Sequence, residues 1–199
     1  AGYIAKKMGL PINKLIIATN SNDILKRVVN TGSYKPSKVE HTESPSMDIQ
    51  VASNFERLIF DIFSCDSKKT LNLMNNLKKF GEYKLEKQDL NKIHESFSAG
   101  SLSDKDTKSY INMIYKDEGI LIDPHTAVAV GVTDKIEIKK NTVILSTAHP
   151  SKFSETVIKE TKIKPELPEN LKDILNKKEK YERLPKNLKE IQSYILKKI

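Results

Sequence analysis

Apolar positions follow two spacings along this chain, short unbroken runs and steps of three to four residues, and their succession predicts an α/β body interrupted by a helical stretch. Residues 1–8 read as helix, with Ile4 and Met8 one turn apart and Gly9 placed to end it, although no capping residue precedes them. Leu15, Ile16, Ile17 and Ala18 then form an apolar run of the kind found in a strand covered on both faces. Asn20 or Ser21 is placed to cap a helix through Asp23, Leu25 and Val28 that stops near Gly32. We therefore expect an α/β segment over residues 1–52.

The period changes at Ser53. Ser53 and Glu56 have the spacing of a capping box, and Phe55, Leu58, Ile59 and Ile62 line one helical face. Further helical patterns run through Leu71, Met74 and Leu77, through Leu90, Ile93 and Phe97, and from Ser103 to Gly119. Residues 53–118 are thus expected to be a mainly helical insertion. The α/β texture returns over 119–160, with apolar runs at Ile120, Leu121 and Ile122 and at Val143, Ile144 and Leu145, and a short helix opened by Asp123 and Pro124. The tail, 161–199, repeats one motif, Leu167-Pro168-Glu169-Asn170-Leu171-Lys172 and Leu184-Pro185-Lys186-Asn187-Leu188-Lys189, and predicts two C-terminal helices packed onto the body.

Composition narrows the class of function. The net charge of +8 suggests a nucleic-acid partner until its source is examined: it is almost all lysine, with Arg27, Arg57 and Arg183 the only arginines. Lys177, Lys178 and Lys180 alternate with Glu179 and Glu182, as on a solvated face, and no aromatic-rich strand offers a base-stacking platform. No apolar run reaches the roughly 20 residues needed to cross a bilayer, so we expect a soluble, cytoplasmic chain. The lone Cys65 has no partner for a disulfide or a metal pair and reads as a half-buried helix residue.

Candidate chemistry gathers in three places. Residues 44–57 bring small hydroxyls, Asp48, Asn54 and Arg57 to a helix start, where free amides and a guanidinium fork suit an anion; Ser53 and Glu56 acting as plain caps is the simpler alternative. His125, after a short apolar run, falls near a strand's C-terminal end, where open α/β sheets bind ligands, and His149 shares its ambiguity between a titrating group and a local cap. No metal-ligand spacing accompanies either histidine. Thr147 is placed to present a hydroxyl at the end of the 143–145 run.

Six motifs give these pieces a common setting: Gly2-Tyr3-Ile4-Ala5-Lys6-Lys7-Met8-Gly9-Leu10-Pro11-Ile12, Ala18-Thr19-Asn20-Ser21-Asn22-Asp23-Ile24-Leu25, Ser44-Pro45-Ser46-Met47-Asp48-Ile49, Ser53-Asn54-Phe55-Glu56-Arg57, Asp123-Pro124-His125-Thr126-Ala127 and Thr147-Ala148-His149-Pro150. In this order they resemble the threonine synthases, nearly end to end. The resemblance implies part of a fold-type II pyridoxal-phosphate enzyme, similar in its core to the tryptophan synthase β-subunit. It implies the cofactor pyridoxal 5'-phosphate and conversion of O-phospho-L-homoserine and water into L-threonine and phosphate. Thr147 matches the family position whose hydroxyl contacts the cofactor's pyridine nitrogen, and Asp48, Asn54 and Arg57 fall in a motif expected to bind substrate. The family's Schiff-base lysine and the loop that cradles the cofactor phosphate lie upstream of the matched motifs, so none of the lysines here is expected to take that role. The other readings are a related phospho-lyase and a noncatalytic binding module.

Overall fold

The computed structural model describes residues 1–136 and 141–199. They fall into two compact units, 1–165 and 166–199.

At the centre of the first unit, strand β1 (Leu15–Thr19) pairs in parallel with a strand that the apolar pattern conceals, running from Leu15 opposite Phe97 to Thr19 opposite Ser101. Before β1 comes helix α1 (Gly2–Lys7), and after it helix α2 (Ile24–Thr31), which ends on a left-handed Gly32. A two-residue strand β2 (Ser33–Tyr34) follows. Helices α3 (Ser53–Ile62) and α4 (Ser67–Phe80) lead to β3 (Tyr83–Lys84), which is antiparallel to β2. Helix α5 (Lys87–Ser96) stops one residue before β4 (Phe97–Ser101), the partner of β1. Helices α6 (Asp104–Glu118), α7 (Pro124–Lys135) and α8 (Ser154–Thr161) complete this unit.

Alternation along β1 assigns its two faces. Leu15 and Ile17 join a core built on Ile24, Val28 and Val29 of α2, Phe55, Ile59 and Ile62 of α3, and Ile93 of α5. Ile16 and Ala18 turn to the opposite cluster, Leu102 with Val128 and Val132 of α7. Successive side chains of a strand point to opposite faces, so a run that is apolar at every position is what two covered faces require. β4 carries the same alternation with small residues: Phe97 and Ala99 face the first core. The methyl-free Gly100 faces α7, where an added Cβ would lie 2.7 Å from Val132 Cγ1.

Several readings of the pattern change here. Phe97 begins β4 and does not extend α5, so the stretch expected to be helical contains a strand of the central ladder. Neither 120–122 nor 143–145 forms a strand; Val143 and Leu145 are 87% and 65% exposed, and an apolar run without a ladder partner among the described residues has no backbone pairing to hold it extended. Ser53 is the first helical residue of α3 and not its cap, because Ala52 holds the N-cap position and no side chain closes the box. Cys65 is exposed, beyond the end of α3, with a left-handed φ of 63°.

Asp23, and not Asn20 or Ser21, holds the N-cap position of α2; the ends of α6 and the start of α7 follow the pattern. Ser103 caps α6 through the Asp106 amide, left-handed Gly119 closes it, and Asp123 with Pro124 opens α7.

In the second unit the two Leu-Pro repeats diverge. The first yields only single turns of 3-10 helix at Glu169–Leu171 and Ile174–Asn176. The second opens α9 (Leu188–Leu196), whose N-cap Asn187 accepts from the amides of Lys189 at 3.0 Å and Glu190 at 3.3 Å. In the first copy Pro168 holds the cap position of the single turn and no side chain caps it.

Candidate functional site at the strand ends

Polar side chains gather where β1 and β4 end. Asn20 follows the last residue of β1 and is only 1% exposed. Its Oδ1 accepts from the Asn22 amide at 2.8 Å, a turn that bends the chain away from the ladder. Its Nδ2 faces Thr42 Oγ1 at 2.7 Å, Asp48 Oδ1 at 2.9 Å and Ser44 Oγ at 3.0 Å. Residues 42–48 are thereby folded around one amide.

That segment closes on itself for a local reason. Ser44 precedes a single 3-10 turn, Pro45–Met47, whose proline supplies the φ required at its start. Asp48 reaches back across the turn and accepts the Thr42 amide at 2.9 Å and the Thr42 hydroxyl at 2.6 Å. Asn20 and Asn22 also donate to Oδ1, so the Asp48 carboxylate braces this loop through both oxygens. Asn22 extends the network to Gln50, whose Oε1 accepts from Arg27 at 3.0 Å. Among the described residues no buried side-chain nitrogen or oxygen lacks a partner.

The outer side of the segment is tied to three helices. The Glu43 carboxylate accepts from Lys108 of α6 and from Thr156 of α8, both at 2.6 Å. The Lys108 ammonium and the Thr156 hydroxyl hold the Glu43 carboxyl below its ordinary range against the opposing effect of burial. The Ser46 amide donates to Nε2 of His125 at 3.3 Å.

His125 lies in the first turn of α7, 8% exposed, with its ring 4.7 Å from that of Phe153. Its Nδ1 is 2.8 Å from Asp123 Oδ1, which also accepts the His125 amide at 2.9 Å. A backbone amide can only donate, so Nε2 is unprotonated and the ring is the neutral Nδ1–H tautomer, donating to Asp123. Asp123 has no exposed surface, and its second oxygen accepts the Thr126 hydroxyl. Burial pushes the Asp123 carboxyl up, but hydrogen bonds from the His125 ring, Thr126 and the His125 amide outweigh it and hold the group below the usual carboxylate range.

Beside this cluster lie Ser146 and Thr147. The Thr126 hydroxyl, which donates to Asp123, also faces Ser146 Oγ as donor at 3.3 Å. Thr147 is exposed, and its hydroxyl has no hydrogen-bond partner among the described residues. His149 is a local cap, its Nδ1 accepting the Ser151 amide at 3.3 Å.

The residues singled out from sequence are only partly brought together. Asn54 and Arg57 are joined, the guanidinium donating to the Asn54 amide oxygen on the exposed face of α3, and Arg57 pairs there with neither Glu56 nor Asp61. Asp61 instead accepts from Tyr3 and Lys7. No hydrogen bond links Asp48 to Asn54 or Arg57 among the described residues. Asn20, Thr42 and Ser44 are site residues that no sequence spacing marks; the one signal is Asn20, a polar residue directly after a buried apolar run. Among the described residues no three His, Cys, Asp or Glu groups cluster as metal ligands.

Known proteins match this arrangement along its length. The family model described as "Threonine synthase, C-terminal" covers residues 126–195. The threonine synthase of Pseudomonas aeruginosa is 38% identical over 98% of the chain and 42% of its own length. The crystal structure of pyridoxal-phosphate-bound threonine synthase from Brucella melitensis superposes with a TM-score of 0.86 at 41% identity, over 98% of this chain and 42% of that one. Yeast threonine synthase does so with a TM-score of 0.83 at 35% identity, over 100% and 45%.

A parallel ladder covered by helices on both faces, with its polar groups at the strands' C-terminal ends, is here a segment of the type II fold that the resemblance implied. It spans about two fifths of the length of these relatives. The chain belongs to the threonine synthase family and corresponds to its C-terminal part.

Proposed function

We propose that, within its full-length enzyme, this chain takes part in converting O-phospho-L-homoserine and water into L-threonine and phosphate, in the cytoplasm. The observation that carries the proposal is the likeness, over nearly the whole chain, to the pyridoxal-phosphate-bound Brucella enzyme. No helix among the described residues is long and apolar enough to cross a membrane.

The side chains present suit the cofactor. Thr147, exposed and without a protein partner for its hydroxyl among the described residues, is able to donate one hydrogen bond to a ring nitrogen. Pyridoxal 5'-phosphate, when bound, supplies the electron sink for chemistry at the substrate's α-carbon. A neutral hydroxyl leaves the ring nitrogen unprotonated where a carboxylate would hold its proton, and so moderates that sink. Arg57, steadied by Asn54, offers a planar guanidinium fork to the substrate's phosphate. Asp48 contributes through the loop it braces, its carboxylate being occupied by Asn20, Asn22 and Thr42.

Product analysis tests this reading. The full-length enzyme, given O-phospho-L-homoserine and pyridoxal 5'-phosphate, is expected to release threonine and phosphate in equal amounts. Phosphate release with a different organic product assigns a related phospho-lyase. No turnover of this substrate rejects the enzyme reading.

A further inference from the structure

Asp123 has more partners than a helix cap needs. A cap requires one oxygen facing the first free amides, and the His125 amide meets that requirement. The remaining contacts divide by oxygen. Oδ1 also holds the His125 ring, whose far nitrogen receives the Ser46 amide of the 42–48 segment. Oδ2 accepts from the Thr126 hydroxyl, which it shares at 3.3 Å with Oγ of Ser146, the residue next to Thr147. One carboxylate with no exposed surface therefore reaches two separate segments through two side chains.

We propose that Asp123 is a forked positioning residue: its Oδ1 arm, through His125, sets the substrate-side segment at Ser46, and its Oδ2 arm, through Thr126 and Ser146, sets the cofactor-facing hydroxyl of Thr147. This rests on the preceding reading of Thr147 and of the segment around Asp48. The fork makes the two arms separable, because each has its own relay and only the carboxylate is shared.

Three variants of the full-length enzyme divide the fork. Asp123→Asn keeps an oxygen toward His125 and keeps the cap, but puts an amide donor where Thr126 donated. The Thr126 proton is then released from Asp123 and turns wholly toward Ser146. His125→Asn keeps a donor toward Asp123 but is too short to accept the Ser46 amide, whereas His125→Gln places an amide oxygen near the lost Nε2. Each arm is one hydrogen bond deep, so the effect on the affected constant is about three- to tenfold.

We expect Asp123→Asn to weaken the dissociation constant of pyridoxal 5'-phosphate and shift its absorbance, with KM for O-phospho-L-homoserine unchanged. His125→Asn should raise KM with the cofactor constant and spectrum unchanged, and His125→Gln should restore KM. Nitrogen NMR of the histidine ring should report the Nδ1–H tautomer for His125 in the wild type and in Asp123→Asn, a readout independent of turnover. Both constants moving together in each variant, a loss of melting temperature alone, or an Nε2–H tautomer would each overturn the fork. Thr147→Val, run in parallel, separates the two readings. If it is inert while Asp123→Asn still shifts the cofactor constant, the role given to the Thr147 hydroxyl falls and with it that endpoint of the Oδ2 arm, while the His125 arm is judged by its own variants.

Discussion

Gly100 and Val132 stand so close that a methyl group on the glycine would lie 2.7 Å from Val132 Cγ1, which means that helix α7 rests directly on the backbone of β4. This contact places the first turn of α7, and with it Asp123 and His125, beside the strand ends. Gly100→Ala should therefore destabilise the full-length enzyme by about 1–3 kcal/mol through overpacking. Val132→Ala added to it should recover part of the loss by making room. Urea denaturation of the two variants measures this, and an unshifted midpoint for Gly100→Ala would show that α7 yields freely.

Thr147→Val preserves shape while removing the hydroxyl. Loss of one hydrogen bond, neutral or to a charged partner, amounts to ~0.5–3 kcal/mol, so turnover should fall on the order of three- to a hundredfold, with a shift in cofactor absorbance. Wild-type turnover and an unchanged spectrum would reduce Thr147 to an exposed loop residue.

None of the lysines described is buried, and a reactive lysine of this kind is normally desolvated in a closed pocket. When the full-length enzyme is incubated with pyridoxal 5'-phosphate, reduced with borohydride and digested, the stoichiometrically labelled lysine should map outside residues 1–199. A single labelled lysine within them would contradict the reading.

The Asp123 carboxyl lies below its ordinary range in the fold because its hydrogen bonds outweigh burial. Such a group binds fewer protons folded than unfolded. Its contribution to stability is complete above the unfolded value, about 3.9, and is lost as pH falls through the lower folded value. Stability of the full-length enzyme should accordingly decline below about pH 4, and Asp123→Asn should flatten that decline. Equal acid slopes in the two proteins would remove Asp123 as a contributor.

Val143 and Leu145 are exposed without a ladder partner among the described residues. The chain on its own should bind an apolar fluorescent dye and unfold broadly. A sharp two-state melt without dye binding would count against this.

What the sequence disclosed follows the range of the interactions. Helix ends fixed by adjacent residues, Ser103 and Gly119 for α6 and Asp123 with Pro124 for α7, were legible because each cap is satisfied within a few positions. β1 was legible as an apolar run. β4, written Phe97, Ser98, Ala99, Gly100 and Ser101, was not, since its small residues suit the helix pressed on it and carry little strand preference of their own. The grouping of Asn20 with Ser44 and Asp48 was equally hidden: their separations of 24 and 28 residues correspond to no helical or strand period. Ile120 to Ile122 misled for the opposite reason, being apolar without a strand to pair with among the described residues.

The pairing of β1 with β4 also sets a clock on biosynthesis. The two strands lie about eighty residues apart, and a ribosome adding ~5–20 residues each second delivers the second some four to sixteen seconds after the first. The helices whose residues cover the Leu15 and Ile17 face, α2, α3 and α5, all precede β4 in the chain, so the hydrogen-bonding edge of β1 that β4 takes is the last of these contacts to become available. Slowing translation just upstream of residue 97 therefore lengthens the window in which nascent chains associate through that edge, and speeding it shortens the window.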